Sequence, residues 1–447
     1  MRIASQPPHR HQGGPVHVEN GKRLHATVRA MFSTVPPDRG PDSPADPRRR
    51  LLLELGAGLL SGGLPVHDVE EELRGLGRTL GAPDVRVAAL TTGLFVALSA
   101  DDATAFEPVG PALRFEQTAD LLDVVHRLRA GGLEGHRALR DLDAIRRAPA
   151  RWPAWVADLG MVPVGVGLCL YLQPVASNVL AAAIGSLLVA GLTMTARRLP
   201  LLRPLLPVTA GFLVSVLVLG AARVSLLDGP LRTIVATLAI LLPGALLVTG
   251  LSEIAAGAAS AGTARLVSGS VQLALFLTGV VAAATVTGVP VSALADTQVA
   301  TPSWWVICLG LALAVAGLVI NVNTPPPAIP WIVAVIAVAA AVQVTVGSAN
   351  GAAVGGLAGA VAAAAAATVA HWLWGGSSWQ VLYLPAFWVV VPGSFGLLNT
   401  AQIEVGNGAH AVLAAVSAMF GVSIGTLIGS VISRIPQPTT APPRPRP

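Results

Sequence analysis

Charge is scarce in this sequence. Of 447 residues only 12% are Asp, Glu, Lys or Arg, about half the share of a soluble domain. Lysine is nearly missing: Lys22 stands alone and is followed by Arg23 rather than Ser or Thr. That excludes a Walker A loop, whose lysine holds nucleotide phosphates, so any transport this chain performs is not driven by its own nucleotide hydrolysis. An ion gradient, a partner ATPase or passive flow remains. Cysteine is limited to Cys169 and Cys308, both inside apolar runs, which excludes a disulfide framework and a zinc site of spaced Cys and His. Both read as packing residues. No HExxH pair is present either, and neither a cofactor nor a metal is expected.

The scarcity is uneven. Of 24 acidic residues 20 fall at or before Gly160, as do 20 of the 29 Lys and Arg. Beyond that point stand nine arginines against Asp228, Glu253, Asp296 and Glu404, and these account for the formal net charge of +5. The arginines are scattered between apolar spans rather than gathered on one face, which excludes a nucleic-acid footprint.

What is present divides the chain. Residues 1–47 are rich in Pro, Gly, Arg, His and Asp without apolar periodicity and read as a disordered leader. Arg48 to Arg50 before Leu51 to Leu53 imitates a secretory signal, but Glu54 interrupts the run and no small-residue cleavage site follows. It reads as a helix start. Over 48–155 the periods alternate: Leu51, Leu52, Leu55 and Leu59 mark one helix face, and Val69, Leu73, Leu76 and Leu80 another. Strands are expected at 85–90 and 94–98, with a third at 113–115, then charged helices at 119–129 and 133–147. This predicts a small α/β domain.

After it come apolar runs of the ~20 residues that cross a bilayer as helix. About ten are expected, at 159–175, 178–196, 205–221, 231–250, 267–289, 304–321, 329–346, 352–371, 380–399 and 410–432. Arginine orients them, because basic residues near span ends stay in the cytoplasm. With the domain cytoplasmic, Arg146, Arg147, Arg151, Arg197, Arg198, Arg203, Arg265, Arg434, Arg444 and Arg446 fall inside, against Arg223 and Arg232 outside. An even number of spans also returns the C-terminus, a Pro/Arg-rich tail at 436–447, to the cytoplasm.

The strongest internal signal is a repeated segment. Ile240-Leu241-Leu242-Pro243-Gly244 lies in the fourth expected span and Val389-Val390-Val391-Pro392-Gly393 in the ninth, 149 residues apart. Five spans separate the copies, so the second enters the membrane inverted, giving two inverted five-helix repeats at 156–300 and 301–435. Proline removes an N–H and clashes with the preceding turn, while glycine permits unwound backbone beside it. Kinks of this kind recur in membrane helices of every function; two copies at matched positions favour a pair built to hold a polar solute. The substrate-binding or gating candidates are therefore Pro243, Gly244, Pro392, Gly393, Ser394 and Asn399. Glu253 and Glu404 follow the two breaks and are the proton-coupling candidates, the alternative being carboxylates solvated at the interface. Arg265, His371, Gln272 and Gln343 rank lower: Arg265 marks the cytoplasmic side and His371 caps a span. In the domain, His67, Asp68, Glu70, Glu71 and Glu72 could pass for an acid/base site and read better as a solvated helix face after Pro65.

From Leu55 to Gly81 the residues Gly56, Ser61, Gly62, Val69, Glu70, Leu73 and Leu80-Gly81 resemble the opening motif of the bacterial threonine/serine exporter family. Trp152 and Trp155 before the first span and the two Pro-Gly segments extend the likeness over about 50–435. The resemblance implies a secondary transporter, not an enzyme: an exporter of L-threonine and L-serine in the bacterial cytoplasmic membrane, energised by the proton motive force. Its partners would be the amino acid, protons and lipid, with no nucleic acid and with a homo-oligomer left open. A dicarboxylate such as succinate is the alternative substrate, and a membrane sensor or scaffold without transport the alternative class.

Overall fold

The computed structural model describes residues 46–290, 294, 299–350, 352–374, 382–383, 423–424 and 427–428. The leader up to residue 45, Pro392, Gly393, Ser394, Asn399, Glu404, the tail and most of the ninth and tenth expected spans lie outside the described residues.

The first described helix, α1 (Pro47–Ser61), starts where Asp46 accepts the Arg48 N–H at 2.9 Å, with proline at the first helical position, where its missing N–H costs nothing. Leucine lies on every side of this helix, and Leu51, Leu52, Leu55 and Leu59 are at most 2% exposed. From Leu51 to Leu60 only Glu54 is polar, so this part of the helix forms the centre around which its neighbours pack. Around it pack α2 (Val66–Thr79), α3 (Phe115–Arg129), α4 (Gly135–Arg147) and a sheet of β1 (Arg86–Leu90), β2 (Gly93–Ala97) and β3 (Ala105–Pro108).

The sheet is an antiparallel meander in the order β1-β2-β3. Leu90 pairs with Gly93 across the Thr91–Thr92 turn, and Phe95 with Phe106, whose ring centroids lie 4.9 Å apart. A Cβ at Gly93 would meet the Phe106 ring, so this close strand approach requires glycine. The third strand is Ala105–Pro108 and not the expected 113–115. That segment instead leads into α3, whose first turn is closed by Gln117 Oε1 accepting the Arg114 N–H at 2.9 Å.

Beyond the domain follow α5 (Ala154–Leu159), α6 (Met161–Leu172), α7 (Ala176–Arg198), α8 (Leu206–Arg223), α9 (Pro230–Leu238), α10 (Gly244–Ala255), α11 (Ala259–Thr287), α12 (Trp304–Asn321), α13 (Ile329–Asn350) and α14 (Ala352–Trp374). Among the described residues, seven helices are long and apolar enough to cross a membrane, or eight with the bent pair α9 and α10 counted as one span. These correspond in order to the first eight expected spans. The chain is thus a polytopic α-helical membrane protein with a small sheet-containing region ahead of its spans.

Close helix crossings are made by glycine, as in lipid, where association depends on contact rather than on expulsion of water. Gly160 and Gly317, and Gly167 and Gly310, bring the backbones of α5–α6 and α12 together; a Cβ at any of the four would meet the opposite backbone. Gly211 and Gly279 do the same for α8 and α11, and Gly250 and Gly262 for α10 and α11.

Candidate functional site

The fourth span breaks at the place its Pro-Gly pair predicts. After α9, residues Ala239–Leu241 tighten into a 3₁₀ turn, Leu242 is extended at φ −66 and ψ 141, and α10 begins at Gly244. The two halves meet at 67°. Leu242, Pro243 and Gly244 are all buried, so the interruption lies inside protein. Three backbone bonds hold it: the Leu242 N–H donates to Ala239 O at 3.3 Å, the Gly244 N–H to Leu242 O at 2.9 Å, and the Leu247 N–H to Pro243 O at 3.1 Å. The first turn of α10 adds N–H groups without intrahelical acceptors.

A polar lane runs from one end of the bundle toward this break. Gln173, ending α6, and Asn178, in the first turn of α7, are both fully buried. Gln173 Nε2 donates to Asp228 O at 3.3 Å, and its Oε1 accepts the Val299 N–H at 3.2 Å. Asn178 Nδ2 donates to Asp228 O at 2.9 Å and to Thr233 Oγ1 at 2.8 Å. One turn further along α9, Thr237 donates to the Thr233 carbonyl at 2.7 Å. Ser186, midway along α7 and fully buried, has no hydrogen-bond partner for its hydroxyl. A buried hydroxyl of this kind costs about 1–3 kcal/mol if it stays unpaired. None of these residues stood out in the sequence, because Gln, Asn, Thr and Ser are common at helix ends and carry no motif here.

The far end of α10 meets the domain. Glu253 is fully buried, so it is not a carboxylate solvated at the interface. Its Oε1 accepts the Val66 N–H, the first of α2, at 2.8 Å, and its Oε2 lies 3.2 Å from Arg265 Nε in an ion pair that lacks hydrogen-bond geometry. Arg265 also donates to Leu64 O at 3.3 Å. Arg265 therefore does more than mark a side: with Glu253 it ties α10 and α11 to the start of α2. A negative charge at a helix N-terminus is favourable, which explains why a membrane carboxylate caps a helix of the domain.

The acidic run on α2 is likewise engaged. Glu70 Oε1 accepts the Ala89 N–H at 2.9 Å and Oε2 pairs with Arg74 at 2.8 Å, while Glu72 pairs with Arg129 at 3.2 Å. His67 and Asp68 lie 3.4 Å apart. The run staples α2 to β1 and α3 and is more than a solvated face. A second buried carboxylate, Asp158 on α5, is held by Arg197 from the end of α7; the sequence marked Arg197 only as an arginine on the cytoplasmic side and did not single out Asp158. His371 stands edge-on to His126 of α3, with ring centroids 6.0 Å apart. Gln343 is buried on α13 and Gln272 half-buried on α11. Ser423 lies in a Gly421-Val422-Ser423-Ile424-Gly425 run. It is helical, buried and donates to Val248 O at 3.4 Å, whereas a hydrolase nucleophile in such a run needs an exposed strand-to-helix turn.

Among the described residues no group of His, Cys, Asp and Glu is arranged to hold a metal ion. The arrangement joins a polar lane, a buried break in a span and an ion pair to the domain, which is the equipment of a membrane transporter. No curated protein and no solved structure matches the chain. The model of the threonine/serine exporter family, ThrE, matches residues 50–287, which covers the domain and every described helix up to the end of α11. That is more than half of the chain, and with the apolar helices that follow it establishes that this protein belongs to the threonine/serine exporter family.

Proposed function

We propose that the chain moves L-threonine and L-serine out of the cytoplasm by way of the broken span, at the expense of the proton motive force. The observation that carries this reading is the buried interruption at Leu242–Gly244. Backbone groups released inside a bilayer must be met by protein, water or solute. A zwitterion needs acceptors for its ammonium and donors for its carboxylate; the carbonyls of the interruption, each with a second lone pair, and the N–H groups that follow Gly244 in the first turn of α10 are of these two kinds. Thr233, Thr237 and Ser186 add hydroxyls of the sort that recognise a hydroxy amino acid.

In this reading Pro243 and Gly244 gate the path, and Glu253 carries the coupling proton. Its carboxylate is joined at once to Arg265 and to the Val66 N–H, so a proton arriving there would release both. The second break, Pro392 and Gly393 with Ser394 and Asn399, and Glu404 complete the site from an inverted second repeat. The proposed plan is ten spans, with the domain at 48–155 and both termini in the cytoplasmic compartment of a bacterium. The arginine bias and the order of the described apolar helices, seven or, with the bent pair as one span, eight, support it.

The test is efflux of labelled threonine from proteoliposomes, with and without an imposed proton gradient. Gradient-dependent efflux supports the reading. Efflux of succinate but not threonine overturns the substrate, and no flux of either overturns transport by this route.

A further inference from the structure

A cavity of about 540 Å³ lies between the domain and the helix ends that face it. That is within the usual range for small-molecule sites. From the domain, Arg114, Phe115 and Thr118 line it; from the membrane half, Arg197, Asn321 and Asn323. Its chemistry is specific in three respects.

Both guanidinium groups already have a carboxylate. Arg114 Nε donates to Glu116 at 2.9 Å, and Arg197 holds Asp158. The lining is neutral in sum, so a dianion would bring two unbalanced charges into a partly enclosed space, whereas a zwitterion brings none. Arg197 is nevertheless half-exposed, with donors left for a carboxylate.

The two asparagines are oriented in opposite senses. Asn323 spends its oxygen on the Trp152 N–H at 2.9 Å, which leaves its amide N–H groups to donate. Asn321 spends its amide on Ala157 O at 2.8 Å, which leaves its oxygen to accept. Asn323, with both amide N–H groups left, offers a carboxylate the more donors, and Asn321, with both lone pairs of its oxygen left, offers an ammonium the more acceptors. Asn323 also sits at φ 55, a left-handed conformation that asparagine tolerates and most residues do not.

The cavity wall is joined by side-chain packing to the broken span. Phe115 in its wall packs against the cluster that holds Val248 of α10 and Val315 of α12, and Ala245, next to the break, packs against the same cluster.

We propose that this cavity binds a small free α-amino acid, its carboxylate on Arg197 and Asn323 and its ammonium on Asn321, and that it is the loading site from which the broken span is supplied. The loading role rests on the exporter reading above; the binding does not.

The experiment measures binding of labelled L-threonine to the full chain in nanodiscs, and efflux from proteoliposomes in parallel. Two variants address the site. Asn323→Ala removes a donor. Ala154→Trp fills the cavity from an exposed alanine of its lining that has no side-chain bond to lose, so it spares the fold if Asn323→Ala does not. Leu201→Ala, on an exposed turn, is the control. The expected result is at least tenfold weaker threonine binding in both site variants, competition by serine and not by succinate, and a similar rise in KM for efflux with Ala154→Trp. Unchanged binding in Ala154→Trp, or succinate displacing threonine better than serine does, overturns the proposal. The two readings separate: efflux with unchanged binding in Ala154→Trp removes the cavity and leaves the exporter, whereas Ala154→Trp-sensitive binding without efflux by the unaltered chain keeps the cavity and removes the exporter mechanism.

Discussion

Individual charges in this protein act according to burial. Asp158 has a side chain 1% exposed while its partner Arg197 is 50% exposed, so the two ends of one ion pair are not equivalent. Removing the arginine strands a buried carboxylate, a loss on the order of 3–5 kcal/mol; removing the carboxylate leaves an arginine that water can reach. Arg197→Ala is therefore expected to lower thermal stability in detergent well below Asp158→Asn, and equal losses would contradict the assignment. Asp46 works at the domain surface. The Arg48 side chain bonded to it, and after it the Arg48 N–H, hold its carboxyl below the usual carboxylate range. A folded-state value lower than the unfolded one contributes stability that is present above the unfolded value and lost as pH falls through the folded one. Asp46→Ala should cost about 1 kcal/mol at neutral pH. In thermal melts the gap between Asp46→Ala and the unaltered protein should close as the pH is brought below the carboxylate range.

At the scale of elements, the break and the crossings are separable features. Pro243→Ala restores the N–H that an uninterrupted helix needs, while the buried surroundings of α9 and α10 stay apolar. The expectation is transport reduced at least tenfold at unchanged membrane abundance, measured by efflux against quantified protein; full efflux at equal abundance would show that the kink is only structural. Gly167→Leu is a contrasting case. Its side chain would enter the backbone of α12 at Gly310, so α6 and α12 must separate. The expected outcome is loss of folded protein, read as early elution or aggregation in size-exclusion chromatography, with no stable fraction left to assay. The Pro-Gly break was legible in the sequence because proline and glycine act on their own backbone. The crossing glycines were not, since a glycine in an apolar run does not say which helix will approach it.

For the whole molecule, the Glu253 contacts decide how domain and membrane part work together. Val66 and Glu253 are 187 residues apart in sequence, yet their bond, with Arg265 donating to Leu64, places the start of α2 against the end of the broken span. Glu253→Gln keeps an acceptor for Val66 and removes the charge that Arg265 pairs with. If Glu253 carries the coupling proton, efflux in Glu253→Gln loses its pH dependence; if the residue only docks the domain, the pH profile stays and limited proteolysis releases the domain faster.

The amino-acid order by itself determined the apolar helices up to Trp374, because a bilayer leaves backbone groups no solvent and forces them to be satisfied within each apolar run. It also determined the helices of the domain, through periods that each segment carries locally, but placed the third strand at 113–115 rather than at Ala105–Pro108, where pairing with β2 decides. Only the tertiary structure settled the polar contacts. Asn178 meeting Thr233, Gln173 meeting Val299, Arg197 meeting Asp158 and Glu253 meeting Val66 are bonds between residues that no motif links. Each depends on packing between distant helices, and a buried polar group takes whichever partner that packing brings within reach.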